Sequence, residues 1–210
     1  MLNEVAFLVY VSCVCIYIIL LHYRKCNPHS CKRSLLDELY HNWVEMRIRT
    51  QNDVLPGVQA LRNVIMANSI FISGILIFLG LITNSFVIEW SDAEVFFGIP
   101  SLGLVKITLQ IGTIFFCLFS FIMAVWHIAR TSLLITSNPK EINVGEMDGV
   151  ELTIKSFKSG QRYWMAGIRG IFFMIAAITW LLNPIMMMIL VLVFTFYLIG
   201  FHDVWNVKKQ

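Results

Sequence analysis

The run Gln59-Ala60-Leu61-Arg62-Asn63-Val64-Ile65-Met66-Ala67-Asn68-Ser69-Ile70-Phe71-Ile72-Ser73-Gly74 opens the stretch that decides the fold, and it continues to Ile88. From Val64 to Ile88 it carries no charge. A helix needs about 20 apolar residues to cross a bilayer, so the stretch is long enough. Asn68, Ser69, Ser73 and Gly74 sit inside it. Lipid gains little from such residues, whereas a neighbouring helix packs closely against them. The composition points the same way. Of 210 residues, 58% are hydrophobic and 14% charged, where soluble domains have roughly 45–50% and about 25%. A water-soluble globule cannot hide that excess, so the chain reads as an integral membrane protein.

Upstream, Val5–Leu21 is uncharged and near the lower length for a spanning helix. Glu4 precedes it and no small-residue cleavage site follows, so it reads as a retained span rather than a signal peptide. His22, Tyr23, Arg24, Lys25, Lys32 and Arg33 come next. Cations hold a loop on the cytoplasmic side, which places the N-terminus outside. Ser34 with Asp37 three residues on resembles a capping box. It predicts an amphipathic helix over 34–49 lying in the interface, with Leu35, Leu39, Trp43 and Met46 on an apolar side turned to the lipid or to the other spans. Pro56 fits the first turn of the next helix.

Downstream, the third span is expected over 107–126, and residues 127–163 read as a cytoplasmic loop. Val150–Phe157 alternates weakly and is open to a short strand or hairpin. From Gly170 to Phe201 there is again no charge. As one helix that run would be about 48 Å long, against a hydrocarbon core of about 30 Å. Asn183-Pro184 divides it, with Asn183 fitted to cap a new helix and Pro184 to its first turn. The expectation is a single all-α membrane domain, residues 1–210. Its five spans cover about 5–21, 64–88, 107–126, 164–182 and 184–201, with the C-terminus cytoplasmic. Fifteen of the 16 Lys and Arg residues then fall inside and only Lys106 outside, the asymmetry that orients membrane proteins.

Ionisable and polar groups at span ends are the candidate binding residues: Arg62, Asn63, Asn68, His127, Arg130, Arg169 and Asp203. Arg62, Arg130, Arg162 and Arg169 share the expected cytoplasmic side. Guanidinium groups suit phosphate or carboxylate, so they read either as a vestibule for a small anion or lipid headgroup, or as topology anchors. His41, His127, His202, Glu45 and Asp203 have no metal-ligand spacing, and no metal or cofactor is expected. Cys13, Cys15 and Cys117 read as small buried hydrophobes, and Cys26 and Cys31 as thiols of a basic juxtamembrane loop open to acylation. Ser69 with Ser73, and Ala166 with Gly170, have the small-residue spacing that lets helices approach.

The segment His41-Asn42-Trp43-Val44 through Gln59-Ala60-Leu61-Arg62-Asn63-Val64-Ile65-Met66-Ala67 resembles the membrane protein family known as domain of unknown function 599. Gly167-Ile168-Arg169-Gly170, followed by Trp180, Asn183-Pro184 and Asp203, is similar to that family's second block, with Asn183 where Gly is usual. The resemblance is weakest at Thr131–Phe157. It implies a polytopic membrane fold and no particular activity.

Three functions are in play. The first is a non-enzymatic oligomeric scaffold or subunit of a membrane assembly. The second is a channel or carrier for a small anion with an arginine-rich mouth. The third is a lipid-acting enzyme with His127 or Asp203 as acid or base. The first ranks highest, because no catalytic signature is present and the soluble portion is small. The expected location is a cell membrane, multi-pass, and the expected partners are the bilayer, further copies or other membrane subunits, and an anionic headgroup or small anion, with no nucleic acid.

Overall fold

The computed structural model describes residues 2–25, 32–49, 54–89, 95–96, 99–100, 102–137, 139, 143–144 and 147–203. The chain runs through α1 (Leu2–Lys25), α2 (Lys32–Arg49), α3 (Leu55–Glu89), a two-residue ladder β1 (Val95–Phe96) with β2 (Ile99–Pro100), and α4 (Leu102–Thr136). A second short ladder, β3 (Asn143–Val144) with β4 (Met147–Asp148), leads to α5 (Gly149–Leu182) and α6 (Pro184–Tyr197). A π-helical turn, Leu198–Asp203, follows. Both ladders are antiparallel, pairing Val95 with Pro100 and Asn143 with Asp148.

Four helices are long and apolar enough to cross a membrane: α1, α3, α4 and α5. The apolar stretch Pro184–Gly200 is shorter, about 26 Å at 1.5 Å per residue. At 35, 35 and 34 residues, α3, α4 and α5 are each about 50 Å long, well beyond the hydrocarbon thickness. Most of the expected 127–163 loop is therefore helix. Arg130, Lys155 and Lys158 interrupt the apolar sequence, but they do not stop the backbone ladder. Val150–Phe157 is helical as well. Its buried residues, Thr153, Ser156 and Phe157, follow helical spacing, and the weak alternation is coincidental.

Periodicity explains α4 and α5. Along α4 one buried line runs through Gly103, Ile107, Gln110, Ile114, Cys117, Phe121, Ala124, Ile128, Thr131 and Ile135, with Leu102, Leu118 and Ser120 buried beside it. The positions of the line alternate in steps of four and three, the repeat of a coiled-coil seam. On α5, Gly149, Thr153, Ser156, Gly160, Gly167, Gly170, Met174 and Ala177 are buried at the same spacing. This second seam is built mostly from small residues, which let two helix backbones approach closely.

The chain forms two compact units. The first comprises Met1–Ser34, Ile75–Cys117 and Ile168–Gln210. Its core takes Ala6, Tyr10, Cys13 and Tyr17 from α1, Phe173, Ala177 and Trp180 from α5, and Met187, Val191 and Leu198 from α6. Phe7 stacks on Trp180 with centroids 6.0 Å apart, and the Trp180 indole N–H donates to Asn3 Oδ1 at 3.2 Å. Gln110 Nε2 donates to the Ala177 carbonyl at 3.2 Å, and Cys117 faces Gly170. The turn into α6 forms as the sequence implies. Asn183 is extended, and its side chain accepts from the Ile185 N–H at 2.8 Å, with Pro184 in the first turn. Asn183→Ala should lower thermal stability by about 1 kcal/mol, and Asn183→Asp should retain most of it, as read by melting of the purified protein.

The second unit comprises Leu35–Gly74 and Leu118–Gly167. Val44 and Ile48 of α2, Leu61 of α3, Ile128 and Ile135 of α4, and Phe157 of α5 form its core. A second, aromatic layer stacks Phe71 on Phe121 at 5.3 Å and 3°, with the Trp164 ring edge-on to both.

Candidate functional site

The candidate residues fall into separate settings. In the second unit, Arg62 and Asn63 are exposed on α3, beside the buried Leu61. One turn further, Asn68 is fully buried. Its Nδ2 donates to the Val64 carbonyl at 2.8 Å, and its Oδ1 has no hydrogen-bond partner among the described residues. In α4, the His127 ring lies parallel to Tyr163 of α5, 5.5 Å and 12° apart. The His127 carbonyl accepts from Thr131 Oγ1 at 2.8 Å and from Ser156 Oγ at 3.0 Å. The Ser156 bond ties α5 to α4 at the point where Gly160 meets Ile128. His127 thus takes part in the seam between two helices.

The cations are distributed. The Arg130 guanidinium lies 5.8 Å from the centroid of the Trp126 ring, one helical turn away. Arg162 reaches from α5 to Asp37 on α2 at 3.1 Å. Both partners are a third to a half exposed, so the pair contributes at most about 1 kcal/mol. That contact also corrects the capping-box expectation. The helix starts at Lys32, ahead of Ser34, and the Asp37 carboxylate is turned to another helix. Beside it, burial and the Asp37 carboxylate push the Tyr40 phenol above its ordinary pKa, so it stays neutral. Arg169 belongs to the first unit and is half-buried. The Asp203 and His202 side chains, Cys26 and Cys31 lie outside the described residues.

Two further expectations change. The buried face of α2 carries Val44 and Ile48, with Tyr40 and Trp43 packed beside them, while Leu39 and Met46 are exposed. The expected apolar side therefore divides: Trp43 packs on Phe157, Leu39 and Met46 do not, and the β-branched Val44 and Ile48 line the face that the rest of the unit covers. Among the cysteines, Cys13 and Cys117 are buried, and Cys15 is exposed. The candidate list also missed Gly160, Gly167, Thr153 and Ser156. Their signal was present in the sequence as the seven-residue repeat of small residues along α5.

Four long apolar helices, joined by short ladders and packed through buried seams, define an all-α integral membrane protein. The chain belongs to the family described as "Protein of unknown function, DUF599", whose model matches residues 5–205. No curated protein and no solved structure matches the chain.

Proposed function

We propose that the protein is a non-enzymatic, self-associating membrane scaffold or subunit, and that copies meet through the outward face of α3. The observation that carries this reading is that face's composition. Only 17% of the α3 span window is buried within the chain, against 39% for α4 and for α5. Ser69, Ser73 and Gly80 lie exposed along one side of it. Leu76 shares that side, and Ile70, Ile77 and Leu81 form an aliphatic ridge along one flank of it. The two serine hydroxyls donate to the Ile65 and Ser69 carbonyls at 3.0 and 2.9 Å, so they are satisfied within the helix. Large apolar side chains serve a lipid-facing helix best. Small residues beside an aliphatic ridge suit the close approach of another helix, where dispersion contacts replace lipid.

The test is the number of copies per particle, read by native mass spectrometry from nanodiscs. Wild type should carry more than one copy. Ser73→Leu and Gly80→Leu should release single copies, while the fold survives because both positions are exposed and a Cβ at Gly80 meets nothing within 4 Å. Wild type found as single copies at every lipid ratio would overturn the reading.

A further inference from the structure

Helix α2 has two apolar faces, and the second unit buries only one of them. Val44 and Ile48 are buried in a core with Leu61, Ile128, Ile135 and Phe157. Leu61 precedes Arg62 and Ile128 lies between His127 and Arg130, so both sit where a long helix passes from an uncharged run to a charged one, and Phe157 lies between Lys155 and Lys158 in the charged first part of α5. Trp126, exposed beside Arg130 on α4, is the kind of residue that settles at a membrane–water boundary. The floor on which α2 rests is therefore at headgroup depth, and so is α2.

The other face of α2 carries Leu39 and Met46, seven residues and two turns apart. They are 60% and 55% exposed. Arg49 lies next to Met46 on that side, with its side chain 72% exposed and one guanidinium nitrogen 2.6 Å from Glu45. A guanidinium has five N–H donors, so several remain for a phosphate oxygen. Apolar side chains beside a cation at headgroup depth fit an anionic leaflet better than water: the side chains reach the acyl boundary and the cation meets phosphate.

We infer that α2 is a lipid-docking element, with Leu39 and Met46 set into the acyl boundary of an anionic leaflet and Arg49 on its phosphates. This goes beyond self-association through α3 and does not depend on it. An environment-sensitive fluorophore on Leu39→Cys, Met46→Cys or His41→Cys tests it. His41 is exposed and lies on nearly the opposite side of α2. The full chain, with Cys15, Cys26 and Cys31 replaced, is placed in nanodiscs of phosphatidylcholine with and without phosphatidylglycerol. Labels at 39 and 46 should emit to the blue and lose intensity to lipid-borne doxyl groups. The label at 41 should lose intensity to aqueous iodide instead. Removing phosphatidylglycerol, or Arg49→Gln, should weaken the doxyl effect at 46. Iodide quenching at 39 and 46 equal to that at 41 would overturn the proposal in favour of a solvent face. Protection from both quenchers together with disulfide cross-links between copies would overturn it in favour of a protein contact. Doxyl quenching indifferent to phosphatidylglycerol would overturn the anionic part.

Discussion

Gly167→Leu is expected to prevent the protein from accumulating as a folded species, whereas Gly112→Leu should be tolerated. A Cβ at position 167 would come within 2.8–2.9 Å of three Phe121 ring atoms. That ring cannot retreat, because Phe71 lies flat against it and Trp164 meets its edge. Forcing extra carbons into a packed core costs about 1–3 kcal/mol or more, and here the clash begins at the first carbon. Even Gly167→Ala should destabilise. A Cβ at Gly112 meets nothing within 4 Å, so Gly112→Ala should stabilise by about 0.5–1 kcal/mol through helix propensity. Fluorescence-detected size exclusion after a temperature ramp reads all four. Equal stability of Gly167→Leu and wild type would remove the tight α4–α5 seam from the second unit.

The second large effect belongs to Trp180 in the first unit. It is the largest fully buried side chain among the described residues. Trp180→Ala would leave a cavity beside Phe7 and remove the indole hydrogen bond to Asn3 Oδ1. The expected loss is about 3–5 kcal/mol for the deleted ring, with about 0.5–1.5 kcal/mol for the hydrogen bond. Trp180→Phe should recover much of the packing and none of the hydrogen bond. Melting temperatures of the purified protein in one detergent should rank wild type above Trp180→Phe, and Trp180→Phe above Trp180→Ala.

The membrane class was legible because apolar runs of bilayer length, such as Val64–Ile88, have one physical reading. The Asn183-Pro184 helix start was legible for a similar reason: a capping side chain followed by a residue without an N–H leaves few alternatives. Helix ends were harder to place. Arg130 ends the uncharged run of α4, and the helix continues past it to Thr136. On α2, Val44 and Ile48 face the core of the second unit while Leu39 and Met46 face away from it, a division that simple apolarity does not contain because burial depends on what the rest of the fold presents. The candidate site was the least legible part. Arg62, Arg130 and Arg162 do lie in one unit. Their partners, Trp126 for Arg130 and Asp37 for Arg162, depend on helix register and on tertiary packing that charge counting does not contain. The α5 seam was readable in principle, since Thr153, Ser156, Gly160, Gly167 and Gly170 follow one seven-residue repeat, but attention to charged residues passes over small ones.

The lipid docking proposed for α2 and the cytoplasmic setting expected for the cations rest on one claim: the cation-rich helix ends share one side of the membrane, opposite the acidic segment that holds Glu89, Asp92 and Glu94. Labelling with a membrane-impermeant thiol reagent in intact cells tests it most directly. Cysteines at Asp92 and Lys209 are the two reporters, in a chain lacking Cys15, Cys26 and Cys31. The account expects Asp92→Cys to react from outside and Lys209→Cys to react only after the cells are opened. Reaction of Lys209→Cys in intact cells would contradict it.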